Sequence, residues 1–426
     1  MKLKSLLVLL LGLMLFGSVT VFSQDEVVLN LLAMDQAGMT PDELGEIIAR
    51  FEKANPGVRV EAQFVLYDGL YDTIVTSVSS NPPAFDIILV DDIWYAGFAD
   101  AAWVLDVSER VTPEMREGIF EAAWDITTVN ETVYGLPFLL DQKYFYYNTE
   151  ILAAAGFDAA PRTWEEVAEM SRAIKANGVE YPMVWSWAQV EAVVPDFVTL
   201  LYGNGGQFFD ENNQPAFNDE VGVATLQWMV DMTNEGLINP ASITSAEEDV
   251  RNVFSAGNAA FATNWLYMYG LAQDPAESQV AGKVGMALMP VFQSALDADI
   301  ESSTNNGSMG FAVTAGSQHP DEAWNFLAYL TSKDIQVEFS EHQLPIWQTA
   351  FEETSLIEAN PINEVTVPMF AEQFPWSHVR PKVPYYNEAS RILQLAIQEA
   401  LVGSKTPQEA LDGAAAEIIE VAADFE

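Results

Sequence analysis

The stretch 134–148, YGLPFLLDQKYFYYN, sets the tightest limit on how this chain can fold. Gly135 and Pro137 make a turn at its start. Phe138, Leu139 and Leu140 form one apolar run, and Tyr144, Phe145, Tyr146 and Tyr147 form a second that stops at Asn148. Apolar runs without alternation suit a strand covered on both faces. Asp141 and Lys143 interrupt that cover and serve no packing purpose. One reading satisfies the acid internally, through a neighbouring amide or Lys143. The other places Asp141 where a strand passes between two lobes, a position that ligand sites favour.

A chain of 426 residues is too long for one ordinary core, and two domains are expected. Half of the residues are hydrophobic, which argues against a disordered chain. Lys2 and Lys4 precede an apolar stretch over residues 6–16, and Val21-Phe22-Ser23 offers a cleavage site. Residues 1–23 therefore read as a secretory signal peptide. The absence of cysteine removes disulfides, thiol catalysis, cysteine-held metals and a lipidated N-terminal Cys. Export without such an anchor implies a monomer diffusing in a periplasm, with no stable membrane insertion after cleavage.

The formal net charge is −44 at pH 7, from 62 acids against 18 bases. The phosphates of nucleic acid and of anionic lipid would be repelled, which makes both poor partners. Solubility is the plain reading of this acidity; adaptation to high salt is the sharper one, since screening makes such self-repulsion tolerable. The melting temperature is then expected to climb steeply between about 0.01 and 1 M salt, where the Debye length falls from roughly 30 to 3 Å. A flat profile in both sodium chloride and potassium chloride removes the salt reading.

Residues 27–33 read as an apolar strand leading into the polar loop Asp35-Gln36-Ala37-Gly38. Thr40-Pro41-Asp42-Glu43 is a capping box with proline at the first helical position. Leu44, Ile47, Ile48 and Phe51 make one apolar stripe behind it. Val58, Val60, Ala62 and Phe64 alternate as a strand; a helix over residues 68–79 and a buried strand over 85–90 follow. This alternation is the sequence form of a layered α/β lobe. DDIWYAGFA begins at that strand's carboxyl end, where open α/β sheets bind ligands, so Asp91, Asp92 and Trp94 are candidates. The competing reading makes them acids favoured by a helix dipole.

Thr163-Trp164-Glu165-Glu166 is a second capping box. Residues 181–194, YPMVWSWAQVEAVV, then read as a strand whose end exposes Trp185, Trp187, Gln189 and Glu191. Rings beside amides and acids suit a sugar, whose C–H faces pack on aromatics while its hydroxyls need polar partners. Residues 254–269 read as a strand ending in Trp265, Tyr267 and Tyr269. Residues 221–234 and 320–331 read as helices, and two more helices close the chain.

These motifs, in this order, resemble the extracellular solute-binding proteins of sugar ABC transporters, the maltose- and trehalose-binding group. The Tyr-Gly-x-Pro turn, Asp141 and Tyr147-Asn148 are similar to that family's first interlobe crossing with its sugar-binding carboxylate. FSAGNAAFATNW resembles the segment leading to a ligand-stacking Trp, here Trp265, with Tyr267 in a Trp-x-Tyr pattern. Residues 310–336 resemble the second crossing and the helices behind it. Leu344-Pro345 resembles the approach to the third, and the closing segment resembles the Arg-Pro and Tyr signature, pointing to Arg380 and Tyr386. There is one departure: where the family often has Gly-Gly-Trp, this chain has Gly307-Ser308-Met309. The Met309 thioether is a softer platform than an indole.

The resemblance implies an α/β, two-lobed periplasmic-binding-protein fold with three crossings. The lobes would be residues 24–139 with 310–345, and 140–309 with 346–426. It implies a sugar ligand, a di- or oligosaccharide, captured by hinge closure and delivered to a membrane permease, with no catalysis, metal or cofactor. Asp91, Asp92 and Asp141 would take hydroxyls, and Trp94, Trp187 and Trp265 would stack. Gln36, Gln189, Glu191, Tyr267, Met309 and Arg380 complete the expected set. Three other chemistries use similar residues. A polyamine carrier would use the same acids and rings through cation–π contacts. A glycoside hydrolase would pair Asp91 or Asp92 with Asp141. An iron-binding protein would use Tyr146-Tyr147 and Tyr385-Tyr386, but His319, His342 and His378 are scattered and form no ligand cluster.

Overall fold

The computed structural model describes residues 26–35 and 39–425; the expected signal segment and Gln36 lie outside them. Local signals place the helices where expected. Thr40 and Glu43 close a reciprocal capping box on helix Pro41–Ala54, which buries Leu44, Ile47, Ile48 and Phe51. Thr163 and Glu166 do the same for helix Trp164–Ala176. Each box satisfies two N–H groups that a helix start leaves without partners.

Two mixed sheets form two lobes. The first has the strand order Val58–Val65, Val27–Met34, Ile87–Asp91, Met309–Val313, Leu136–Leu139. Val27–Met34 is parallel to its two neighbours, whereas Met309–Val313 runs antiparallel to both of its own. All of Ile87–Asp91 is buried, as a central strand covered on both faces must be. The second sheet has the order Val284–Ala287, Tyr144–Asn148, Phe261–Asn264, Met183–Val184. The 134–148 stretch is therefore two strands in two sheets, and the chain changes lobe over residues 140–143.

The crossings run side by side. The Asp141 N–H donates to Ser308 Oγ at 3.1 Å. Gly307 N–H donates to the Asp141 carbonyl at 3.0 Å and Lys143 N–H to that of Asn305 at 3.1 Å. Ser377–His378 pairs in parallel with Thr304–Asn305 and carries the chain across again. The third crossing thus lies beyond Ile346, where the sequence places the change of lobe. The Phe120 N–H donates to the Ile346 carbonyl at 3.0 Å, and Phe351, Phe370 and Phe374 gather on Phe120. Phe120 precedes helix Glu121–Thr127, which packs on the first sheet. Burial of these rings holds the segment on that side until Ser377. The closing helices, Tyr386–Leu401 and Pro407–Ala423, pack on each other and on helix Glu220–Asn234. Among the described residues no helix is long and apolar enough to cross a membrane.

Candidate functional site

Three strands of the first sheet end at Met34, Asp91 and Leu139, and Met309 opens the antiparallel strand between the last two. All four residues line one cavity, at the carboxyl edge where open α/β sheets bind ligands. The second sheet supplies Trp265, one residue beyond strand Phe261–Asn264. Helix starts supply Tyr67, Glu247 and Tyr267, the loop before helix Val193–Tyr202 supplies Glu191, and the crossings supply Asp141 and Gly307. The cavity offers about 90 Å³ to the centres of water-sized spheres, within about 660 Å³ of atom-free space that includes its mouth.

Asp141 is 6% exposed. Its Oδ1 accepts from the Gln142 N–H at 2.8 Å and its Oδ2 from the Leu266 N–H at 3.4 Å. Burial pushes the carboxyl up to about 7, against the pull of those two N–H groups. Lys143 is not its partner. The ammonium turns the other way, to Asp196 at 2.6 Å and Ser186 at 3.1 Å, and lies 5.3 Å from the centre of the Trp265 ring. Of the two internal partners considered from sequence, backbone amides hold Asp141 and Lys143 does not.

Arg380 ties the lobes together. Its Nη2 donates to Asp91 and Asp92, both at 2.8 Å, and its Nη1 donates to Glu191 at 2.9 Å. The Tyr67 hydroxyl donates to the second oxygen of Asp91 at 2.7 Å, and the Tyr386 hydroxyl to Glu191 at 2.8 Å; Ser390 also donates to Glu191. Burial pushes Glu191 up, with Arg380, Ser390 and Tyr386 pulling it back. Asp92 is held well above the usual carboxylate range, by burial first, opposed by Arg380. Arg380 Nε is buried without a partner in the protein.

Trp265 has little freedom. Its Nε1 donates to Glu247 Oε1 at 3.3 Å. A Cβ on Gly307 would fall 2.3 Å from the ring, so only glycine fits there. Burial also pushes Glu247 up, against the attraction of Lys143.

The structure therefore brings together Asp91, Asp141, Glu191, Trp265, Tyr267, Met309 and Arg380. It does not bring in the others. Trp187 is fully buried, its ring 5.2 Å from that of Trp185, and it does not reach the cavity. The strand expected there is only Met183–Val184, and the indoles after it fill the core instead of ending exposed. Trp94 is also buried, donating from Nε1 to Asn387 at 3.1 Å, and lines a neighbouring groove with exposed Gln189. Tyr67 and Glu191 border both spaces. Asp92 sits behind the cavity, on Arg380. Tyr146 donates to the Trp265 carbonyl and Tyr386 to Glu191, so these hydroxyls of the expected iron set are engaged within the protein.

Sequence reasoning missed Tyr67 and Glu247. Tyr67 follows the carboxyl end of strand Val58–Val65, so the rule that selected Asp91 could have found it. Glu247 stands among Glu248 and Asp249 at a helix start, and no local signal distinguishes it from dipole-favoured neighbours.

The sequence pattern of the bacterial extracellular solute-binding proteins matches residues 38–337. A probable ABC transporter-binding protein of Deinococcus radiodurans is 27% identical over 345 residues, 76% of this chain and 77% of its own length. A probable amino-acid ABC transporter periplasmic-binding protein of Sinorhizobium fredii is 26% identical over 317 residues, 72% of this chain and 69% of its own. Among solved structures, the maltose-bound MalE3 of T. maritima superposes with a TM-score of 0.84 at 26% identity, covering 93% of this chain and 100% of that one.

Proposed function

Because the chain belongs to the bacterial extracellular solute-binding protein family, whose members bind and do not catalyse, we propose that it captures a sugar in this cavity for an ABC importer. The observation that carries the reading is the cavity's composition. Carboxylates and aromatic rings from both lobes converge on one space, with Asp141 in the crossing between them. Such a lining matches a sugar's alternation of hydroxyls and C–H faces. The maltose-bound relative supports the same class.

Capture follows from the two-lobed plan. A ligand touching both walls favours the closed form because only there are all its contacts made. The crossings at residues 140–143, 305–308 and 377–378 would act as the hinge, and a membrane permease would read the closed form. Asp141 accepts from hydroxyls, Trp265 and Tyr267 offer rings, and Met309 lies at the edge of the first sheet. Asp91, Glu191 and Arg380 shape the wall through their own ion pairs.

An amino acid, as in the name of the Sinorhizobium relative, fits less well. Its carboxylate needs a cation, and Arg380 is the one basic residue among the described lining residues, with both Nη atoms held by carboxylates.

Calorimetric titration of the wild type and Trp265→Ala with mono- and disaccharides tests the site. The substitution is expected to cost on the order of 2 kcal/mol of binding, as desolvated aromatic contacts do, with little change in unliganded stability. A stability loss of about 3–5 kcal/mol with affinity retained would make Trp265 a core residue and remove it from the site.

A further inference from the structure

Four carboxylates line the cavity, from Asp91, Asp141, Glu191 and Glu247, against the single guanidinium of Arg380. That guanidinium is taken by Asp91, Asp92 and Glu191, leaving nothing for Asp141 and Glu247. The nearest other cation, Lys143, is paired with Asp196 at 2.6 Å. Asp141 and Glu247 are both fastened to the same short segment: one accepts from Leu266 N–H, the other from Trp265 Nε1. Their charges are thus fixed beside the Trp265 ring. A neutral sugar closing over them would seal two carboxylates from water without a counter-charge, which is costly.

A second feature limits the kind of cation. Arg380, 2% exposed, lines the same cavity and keeps an unpartnered Nε–H. A buried donor of that kind calls for an acceptor oxygen. Simple polyamines, fully protonated, offer only donors. A hydroxylated ligand with one ammonium offers both.

We propose that the preferred ligand is an amino sugar or an aminated polyol, its ammonium held by Asp141 and Glu247 against Trp265 and its hydroxyls by the rest of the wall. The inference rests on the cavity being the sugar site and names the class of sugar. Ring contact adds to the selection, since an ammonium is drawn to an aromatic face. The burial that holds both carboxylates above their usual range agrees with a site short of positive charge.

The test uses the wild-type protein, stripped of ligand by unfolding and refolding, and calorimetric titration at pH 7.5. The probes are glucosamine against glucose, the β-1,4-linked glucosamine disaccharide against cellobiose, their N-acetylated forms, and spermidine. At least one aminated sugar is expected to bind tenfold or more tightly than its neutral partner, and N-acetylation, which keeps the nitrogen but removes the charge, is expected to abolish that advantage. Glu247→Gln should narrow the gap between aminated and neutral members without affecting neutral binding as much. Neutral sugars binding as tightly as aminated ones overturn the inference and leave the sugar reading standing. Response to spermidine alone, or to none of the probes, overturns both.

Discussion

Lys143→Met is expected to lower the stability of the unliganded protein by about 3–5 kcal/mol, the range for removing one partner of a buried ion pair. Lys143 is fully buried and so is Asp196, its partner at 2.6 Å. Asp196 also accepts from Ser186 N–H at 3.3 Å, Ser186 Oγ at 2.8 Å and Thr263 Oγ1 at 3.1 Å. Methionine fills the space of the lysine stem but leaves the carboxylate with neutral donors only. Desolvation then stands without its compensating charge, and the loss exceeds what the pair contributes relative to an apolar replacement. Lys143→Met combined with Asp196→Leu should accordingly recover much of the stability. Ligand affinity should fall in the single variant too, because the ammonium lies 5.3 Å from the Trp265 ring and helps hold it. Denaturant unfolding of the wild type and both variants reads the first effect. A single variant within about 1 kcal/mol of wild type, the size of a surface pair, would mean the pair is not what organises this wall.

Asp141→Asn should move stability and binding in opposite directions. The folded-state pKa of Asp141 is about 7, raised by burial above the ordinary carboxylate value. A group raised in this way supports the fold when protonated. Its contribution is complete below the unfolded pKa near about 4 and is lost as pH rises through the folded pKa. Unliganded wild type should therefore lose stability from this group between about pH 4 and 7, and Asp141→Asn should not. The variant is expected to melt above wild type at pH 8 and close to it at pH 4. Binding should weaken by about 1.5–3 kcal/mol, the range for hydrogen bonds to a charged group, or roughly ten- to a hundredfold. The asparagine replaces one acceptor oxygen with a donor amide. The affinity difference should widen from pH 6 to 8 as the wild-type carboxyl ionises, and the comparison subtracts whatever Glu191 and Glu247 do in both proteins. Equal melting at pH 8 together with equal affinities would make Asp141 a structural acid held by Gln142 and Leu266.

Local chemistry made much of the architecture legible. The Thr40 and Thr163 capping boxes form as read, because their hydrogen bonds span three residues and depend on little beyond them. Asp91 and Asp141 were found for a similar reason: one ends a buried strand, the other breaks an apolar run, and both features are local. Trp187 was misread because an indole after a short strand looks the same whether it faces a cleft or a core. Its burial against Trp185 depends on segments far away in sequence.

By itself, the sequence determined the α/β class, the helix starts, the two-lobe plan and the acid at the first crossing, since each is set by periodicity or by contacts a few residues apart. Only the tertiary structure decided which charges are free. Asp91, Asp92 and Glu191 meet on Arg380, and Lys143 turns from Asp141 to Asp196, through pairings between residues 53 to 289 positions apart. Pairing energies in a buried site depend on distance and desolvation, which the chain acquires only when both lobes and their crossings are in place. The same holds for Glu247, whose neighbours in sequence are indistinguishable from it and whose neighbour in space is Trp265.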